Sequence, residues 1–309
     1  MTEPLLASMR LPVICAPMFL VSGPELVIAA AKAGIGGAFP TTNLRTPAEL
    51  DEWMGTITQA LEPGDGPWAA NLITHSSNTR LADDLALVAE YKPPLVITAL
   101  GSPKPVMETI KGYGGKVFAD VVNLKLARKA AEAGVDGMAC ISTGAGGHTG
   151  HLSPFAFISA VRSFFDGMIA VGGGISDGAG IAGAIAAGAD LVYMGTRFLP
   201  ATESRAAPAY KAMVLDAGID DLTVTSAVTG TPASWLNASL EAAGYDPARP
   251  GAPAKREYSG DVAKRWRDIW AAGQGVGKSR AIEPVSEIVA KLEAEYRAAV
   301  AQLSEKVPA

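Results

Sequence analysis

Cysteine and histidine are scarce: 309 residues hold two of the first and three of the second. Cys15 and Cys140 each sit inside an apolar run without a paired partner in sequence. That pattern points to two buried free thiols rather than a disulfide framework or a metal site. No Lys/Arg cluster interleaved with aromatics occurs, and the net charge is −5, so a nucleic-acid partner is not expected. Nor is there an uninterrupted apolar run of the roughly 18 residues that a membrane span needs. The longest weakly polar stretch, Gly178–Met194, is broken by Gly183, Gly188 and Asp190, and reads as a buried helix followed by a strand. The opening MTEPLLASMRLPVICAP has no basic segment ahead of a sustained apolar core. No secretory signal is therefore expected, and a cytoplasmic location is.

What the chain does have is rhythm. Short apolar runs at Val13–Ala16, Gly36–Phe39, Trp68–Ile73, Leu95–Ala99, Val117–Val121, Gly137–Ile141, Met168–Val171 and Leu191–Met194 read as strands covered on both faces. Amphipathic stretches such as Pro24–Ala33, Pro47–Leu61, Asn78–Tyr91 and Leu124–Ala133 alternate with them. Ser22, Thr46 and Ser176–Asp177 supply start signals, and glycine closes KAG, EAG and AAG. Eight strands alternating with helices predict an α/β fold, a (β/α)8 TIM barrel over residues 1–202, with a doubly wound open sheet as the alternative. After residue 200 the rhythm breaks. Residues 203–282 are expected to form a small helical insertion or lid near the C-terminus, and residues 283–309 a helix packing back on the barrel.

In a parallel barrel the ligand lies at the carboxyl ends of the strands. The segment following Gly137–Ile141 reads STGAGGHTGHL, with four glycines and two histidines. It exceeds the usual connection of about two to six residues, and suggests backbone held against a ligand with an imidazole aimed at it. The run MIAVGGGISDGAGIAGAIAAGADLVYMGTRFL ends one strand in three glycines and the next in Gly195–Thr196–Arg197. Glycine amides converging without Cβ atoms suit a phosphate at the last two strand ends; the competing reading is glycines that only make tight turns.

AGGHTGHL, VGGGISDGAG and YMGTRFLPATES together resemble the nitronate monooxygenase family, FMN-dependent barrels related to the flavin-type enoyl-acyl-carrier-protein reductases. The likeness extends to PVICAPM, AANLI, TGTPASWL and WAAGQGVG, in the family's order and over most of the chain. It implies that Ala16, Pro17, Met18 and Asn71 contact the flavin, that Gly146 and Gly147 bring backbone close to the ring, and that Gln274 and Gly275 approach from the C-terminal segment. It also implies that Gly172, Gly173, Gly174, Gly195 and Thr196 hold the phosphate, and that His148 is the catalytic histidine. One position departs: family members often carry a basic or polar residue at the end of the fifth strand, where this chain has Asp120. An anionic carboxylate there would disfavour an anionic reduced flavin, unless it is protonated or faces the ribityl hydroxyls.

The remaining polar candidates are weighed singly. His75, after AANLI, is a candidate for contact with the substrate, against a solvated loop residue. His151 reads as a helix-start or rim residue, with a substrate contact as the sharper alternative. Glu203 and Ser204 read as a helix-start carboxylate and its neighbour, pairing with Arg197 or Arg205, rather than an acid–base pair. The pattern leaves open whether Tyr193 faces the lumen or the outer helices. Trp235, Trp266 and Trp270 are expected to anchor the insertion on the barrel, where one could wall the substrate pocket.

The activity implied is oxidation of alkyl nitronates or nitroalkanes by O2 to carbonyl compounds and nitrite. A small-molecule substrate and O2 are thus the expected partners, with a homodimer possible. The rivals are an FMN-dependent NAD(P)H reductase of enoyl thioesters or quinones, a non-flavin phosphate-binding isomerase or lyase, and a non-enzymatic phospholigand binder. No strand-end lysine is placed to form a Schiff base, which counts against an aldolase.

Overall fold

Each of the eight apolar runs forms a strand in the computed structural model, which describes residues 4–255 and 265–306. They are β1 (Val13–Cys15), β2 (Gly36–Pro40), β3 (Trp68–Ile73), β4 (Leu95–Ala99), β5 (Lys116–Val121), β6 (Gly137–Ile141), β8 (Met168–Gly172) and β9 (Leu191–Met194). All pair in parallel, and β1 hydrogen-bonds to β9 through Val13↔Val192, Ile14↔Tyr193 and Cys15↔Met194, closing the barrel. The open-sheet alternative fails on that pairing.

The strand pleat sorts side chains into two layers. One set, including Val13, Cys15, Val117, Ala119, Cys140 and Val192, packs outward against the helices. The alternate set, including Ile14, Ala16, Ala69, Ile97, Phe118, Ala139, Ala170 and Tyr193, fills the lumen. Both thiols are free and buried in the outer layer, and burial raises the Cys140 thiol to about 12. The short helix α1 (Pro4–Ala7) sends Leu5 into the lumenal cluster and plugs the N-terminal end. The other end alone is left for chemistry.

Helices α2 (Pro24–Lys32), α3 (Pro47–Ala60), α4 (Leu81–Tyr91), α5 (Lys104–Gly112), α6 (Leu124–Glu132), α7 (Pro154–Arg162) and α8 (Gly178–Ala186) surround the strands. Thr46 starts α3 with a capping box, its hydroxyl accepting from the Glu49 amide while Glu49 returns to the Thr46 amide. Asp177 caps α8 through the Gly180 amide. Ser22 does not cap α2 as expected: its hydroxyl accepts from the Met18 amide, and Gly23 takes the cap position.

Residues 203–282 contain helices α9 (Pro208–Asp216) and α10 (Asn237–Ala242), but also strands β10 (Leu222–Thr225) and β11 (Ala233–Leu236). These strands form an antiparallel sheet with β7 (Gly147–His148), in the order β10-β11-β7. The pairing of β11 with β7 went unread because the two lie far apart in sequence and β7 spans only two residues. The part of the insertion at 256–264 lies outside the described residues. The last helix, α11 (Val285–Lys306), packs on α8 and α2, burying Val285, Ile288, Val289 and Leu292. A Cβ on Gly178 would stand 2.1 Å from the Tyr296 amide nitrogen, so only glycine admits that approach.

Candidate active site

The C-terminal mouth is built from small residues. Continuing the lumenal alternation upward places Ala16, Asn71, Asp120, Gly172 and Tyr193 around it. Ala16 and Met18 sit beside Gly195, where an added Cβ would lie 3.4 Å from the Met18 sulfur and 3.8 Å from the Ala16 Cβ. The β1 loop, Pro17 included, is held by Asn43. Its Nδ2 donates to the Ser22 and Met18 carbonyls at 2.7 and 3.3 Å, while its Oδ1 accepts from the Leu20 amide at 2.8 Å. Leu20 is thereby kept at φ 61°, in the left-handed region. Sequence reasoning missed Asn43; a Thr-Thr-Asn run directly after β2 was the available signal. Asn71, buried on β3, is oriented by an Nδ2 bond to the Ile97 carbonyl at 3.1 Å.

The glycine segments come together as backbone against backbone. The Gly144 carbonyl accepts from the Gly174 amide at 3.1 Å and from the Gln274 amide at 2.8 Å. The Gly273 amide donates to the Thr196 hydroxyl at 2.9 Å. A Cβ on Gly146 would lie 2.7 Å from the Gly273 nitrogen, one on Gly173 2.5 Å from the Thr143 carbonyl, and one on Gly275 2.6 Å from the Ser176 Cβ. Gly173 and Gly174 have φ 145° and 69°. The loops after β6, β8 and β9 and the segment at 273–275 thus come together as one glycine-rich cradle. The Gly174 amide itself is engaged by Gly144, so its part in that cradle is structural.

His148 occupies β7, where the register Ala233↔His148 and Ser234↔Gly147 fixes it against the insertion. Its ring meets Trp266 edge-on, centroids 5.2 Å apart, and Trp266 leans in turn on the fully buried Trp235 at 4.5 Å. Tyr210 and Trp270 stack at 5.1 Å within the insertion itself, whereas Trp266 reaches the loop after β6 through His148. His75 lies on the β3 loop, half-buried; its Nδ1 accepts from the Ser77 amide at 3.2 Å, which directs the proton of the neutral ring to Nε2. His151 is exposed two residues ahead of Ser153, the position at which α7 begins, and so does not cap that helix. Glu203 accepts from the Val285 amide at 3.1–3.2 Å and so stabilises the start of α11, while Arg197 pairs with Glu283. Ser204 donates to the Leu199 carbonyl. No acid–base pair arises from 203–204.

Among the described residues, two buried polar atoms at the mouth stand without a hydrogen-bond partner: Asp120 Oδ1 and the Tyr193 hydroxyl. Asp120 as a whole keeps accessible surface, yet its sealed oxygen and the apolar lumen push its carboxyl up to about 7. Burial likewise raises Tyr193, with the Asp120 charge adding to the effect. Tyr193, whose direction the sequence left open, faces the lumen; a strand buried on both faces gives no sign of which residues turn inward. Among the described residues no group of three or more His, Cys, Asp or Glu is arranged to hold a metal ion.

The family model described as nitronate monooxygenase matches residues 3–295. The chain is 30% identical to the nitronate monooxygenase of Paraburkholderia phytofirmans, with 94% of each sequence covered. It is 31% identical to the (3aS,4S,5R,7aS)-5-hydroxy-7a-methyl-1-oxo-octahydro-1H-indene-4-carboxyl-CoA dehydrogenase of Rhodococcus jostii, over 76% of this chain and 65% of that protein. Among solved structures, the nitroalkane oxidase from Streptomyces ansochromogenes matches at TM-score 0.83 and 26% identity, covering 97% of this chain and all of the other.

Proposed function

Because the chain belongs to the nitronate monooxygenase family, we propose that it is an FMN-dependent enzyme oxidising alkyl nitronates and nitroalkanes with O2 to carbonyl compounds and nitrite. The observation carrying this reading is His148, pinned by the β7–β11 pairing beside the glycine cradle at the barrel mouth.

The residues present fit the cofactor. Two enclosed polar atoms, on Asp120 and Tyr193, lack protein partners, and the strand ends around them are alanine and glycine. Bound FMN supplies the electron transfer that amino-acid side chains cannot. The chain's own residues do the rest. Ala16, Pro17, Met18 and Asn71 shape the wall formed by β1 and β3. Gly146, Gly147, Gln274 and Gly275 close over the opposite side, and Gly172, Gly173, Gly195 and Thr196 grip the phosphate. His148 takes the proton from the carbon bearing the nitro group when the neutral nitroalkane is the substrate. When the nitronate arrives already ionised, the same imidazole hydrogen-bonds its oxygens. His75, on the rim, is the proposed further substrate contact, with His151 farther out. The reading places the protein in the cytoplasm, acting on a small molecule and O2.

His148→Asn is expected to retain FMN while losing at least about 100-fold in turnover of neutral nitroalkane, the usual scale of general-base loss. Oxidation of pre-formed propyl nitronate should fall much less. Nitrite release by the variant equal to that of the parent on neutral nitroethane would remove His148 from this role. A second reading, an NAD(P)H-dependent reductase of enoyl thioesters, draws on the carboxyl-CoA dehydrogenase relative. Anaerobic bleaching of the flavin by NADH or NADPH, but not by propyl nitronate, would favour it.

A further inference from the structure

The proposed chemistry uses His148 and leaves unexplained why an acid with no counter-ion stands in the lumen. Asp120 shares the inward face of β5 with Phe118, and its Oδ1 is enclosed without a partner. Across the lumen Tyr193 is only 9% exposed, and its hydroxyl is enclosed and unpartnered as well. Leaving such groups unsatisfied is costly, so both point to something that completes the site. Among the described residues, the other strands contribute no countercharge at this level. β1 presents Ile14 and Ala16, β3 Ala69 and Asn71, β4 Ile97 and Ala99, β6 Ala139 and Ile141, and β8 Ala170 and Gly172. Tyr193 and the outer-layer thiol of Cys140 both feel the Asp120 charge, Tyr193 also feels Cys15, and Arg162 acts on Cys140. Above the mouth stand His148 and His75, on the loops that follow β6 and β3.

We propose that Asp120 and Tyr193 form a proton-holding floor to the cofactor site, so that FMN binds the form in which Asp120 is a neutral carboxylic acid. A ligand covering the mouth removes the remaining water from a carboxyl that has no cation to offset its charge. The ionised form then becomes costlier than in the open site. Binding above neutral pH therefore takes up a proton. The neutral acid and the tyrosine hydroxyl both donate, which matches carbonyl and ring-nitrogen acceptors and opposes any anionic group at the same place. The inference rests on the flavin reading above and adds to it a protonation state.

The test is the FMN dissociation constant of the apoprotein between pH 6.5 and 8.5, for the parent and Asp120→Asn. The cofactor's phosphate ionises near pH 6 in both titrations and cancels in the ratio of the two constants. That ratio should climb roughly tenfold or more over the interval as the parent increasingly has to be protonated to bind. At pH 8 in weak buffer with an indicator dye, the parent should take up about one proton per FMN and Asp120→Asn none. Tyr193→Phe, which makes the floor less polar, should keep the slope and move its onset to higher pH; an unmoved onset would remove Tyr193 from the pair. A ratio flat within twofold, with the parent binding FMN tightly, overturns the inference and leaves the flavin reading intact. A parent that binds no FMN at any pH overturns both.

Discussion

Asn43 shows what one side chain can organise at this mouth. Its amide spans the Met18 and Ser22 carbonyls and the Leu20 amide, holding the β1 loop in a conformation that leucine does not favour unaided. Asn43→Ala should free the loop and weaken FMN binding by roughly fivefold, about 1 kcal/mol, read by flavin fluorescence quenching. Asp120 carries a separate expectation for the apoprotein. Its carboxyl sits at about 7 in the fold and near 3.9 in the unfolded chain. Between those values the native state binds the extra proton, so this group's contribution declines as pH rises and levels off above about 7. Asp120→Asn should therefore raise the apoprotein Tm at pH 8 by at least about 2 °C, with the gain shrinking toward pH 4. A gain that grew toward acid would contradict the assignment. His148 stands out as a candidate in sequence because glycines frame it; Tyr193 stands out without a direction, which depends on how a strand face turns, and Asn43 does not stand out, since its role depends on a loop that folds back.

Elements were read well where their signals were local. The runs 68–73, 95–99, 137–141 and 191–194 are strands at their expected limits, because a covered parallel strand is written as an unbroken apolar run. Thr46, followed three residues later by Glu49, marks α3 correctly, whereas Ser22 was misread because its hydroxyl serves the preceding loop. Thr46→Ala should cost about 1 kcal/mol, measurable as a lower urea midpoint at unchanged slope. The two-residue strand β7 was invisible: only its pairing with β11 defines it. Ser234 lies in the central strand of that small sheet, between Val224 and Gly147. Proline at 234 would remove a ladder donor there, so Ser234→Pro should lower turnover at least tenfold while far-UV circular dichroism and FMN affinity change little.

For the molecule as a whole, the plugged N-terminal end and the closed ring of strands leave one working face, and α11 secures the wall beside it. Removing residues 285–309 would expose Val285, Ile288, Val289 and Leu292 together with the surfaces they cover. At about 1.5–3 kcal/mol for each buried aliphatic side chain, the loss rivals the whole stability of an ordinary domain, about 5–15 kcal/mol. The truncated chain should be insoluble or fail to unfold cooperatively in urea. The pairing of β7 with β11 has a consequence for engineering and for descent. The imidazole proposed to take the proton is seated against β11, a strand supplied by the segment 203–282. A chimaera that exchanges 203–282 between relatives therefore transplants two strands of a three-stranded sheet without the third. Unless residues 142–152 travel with it, substrate choice and reactivity will be lost together, and selection can tune neither alone.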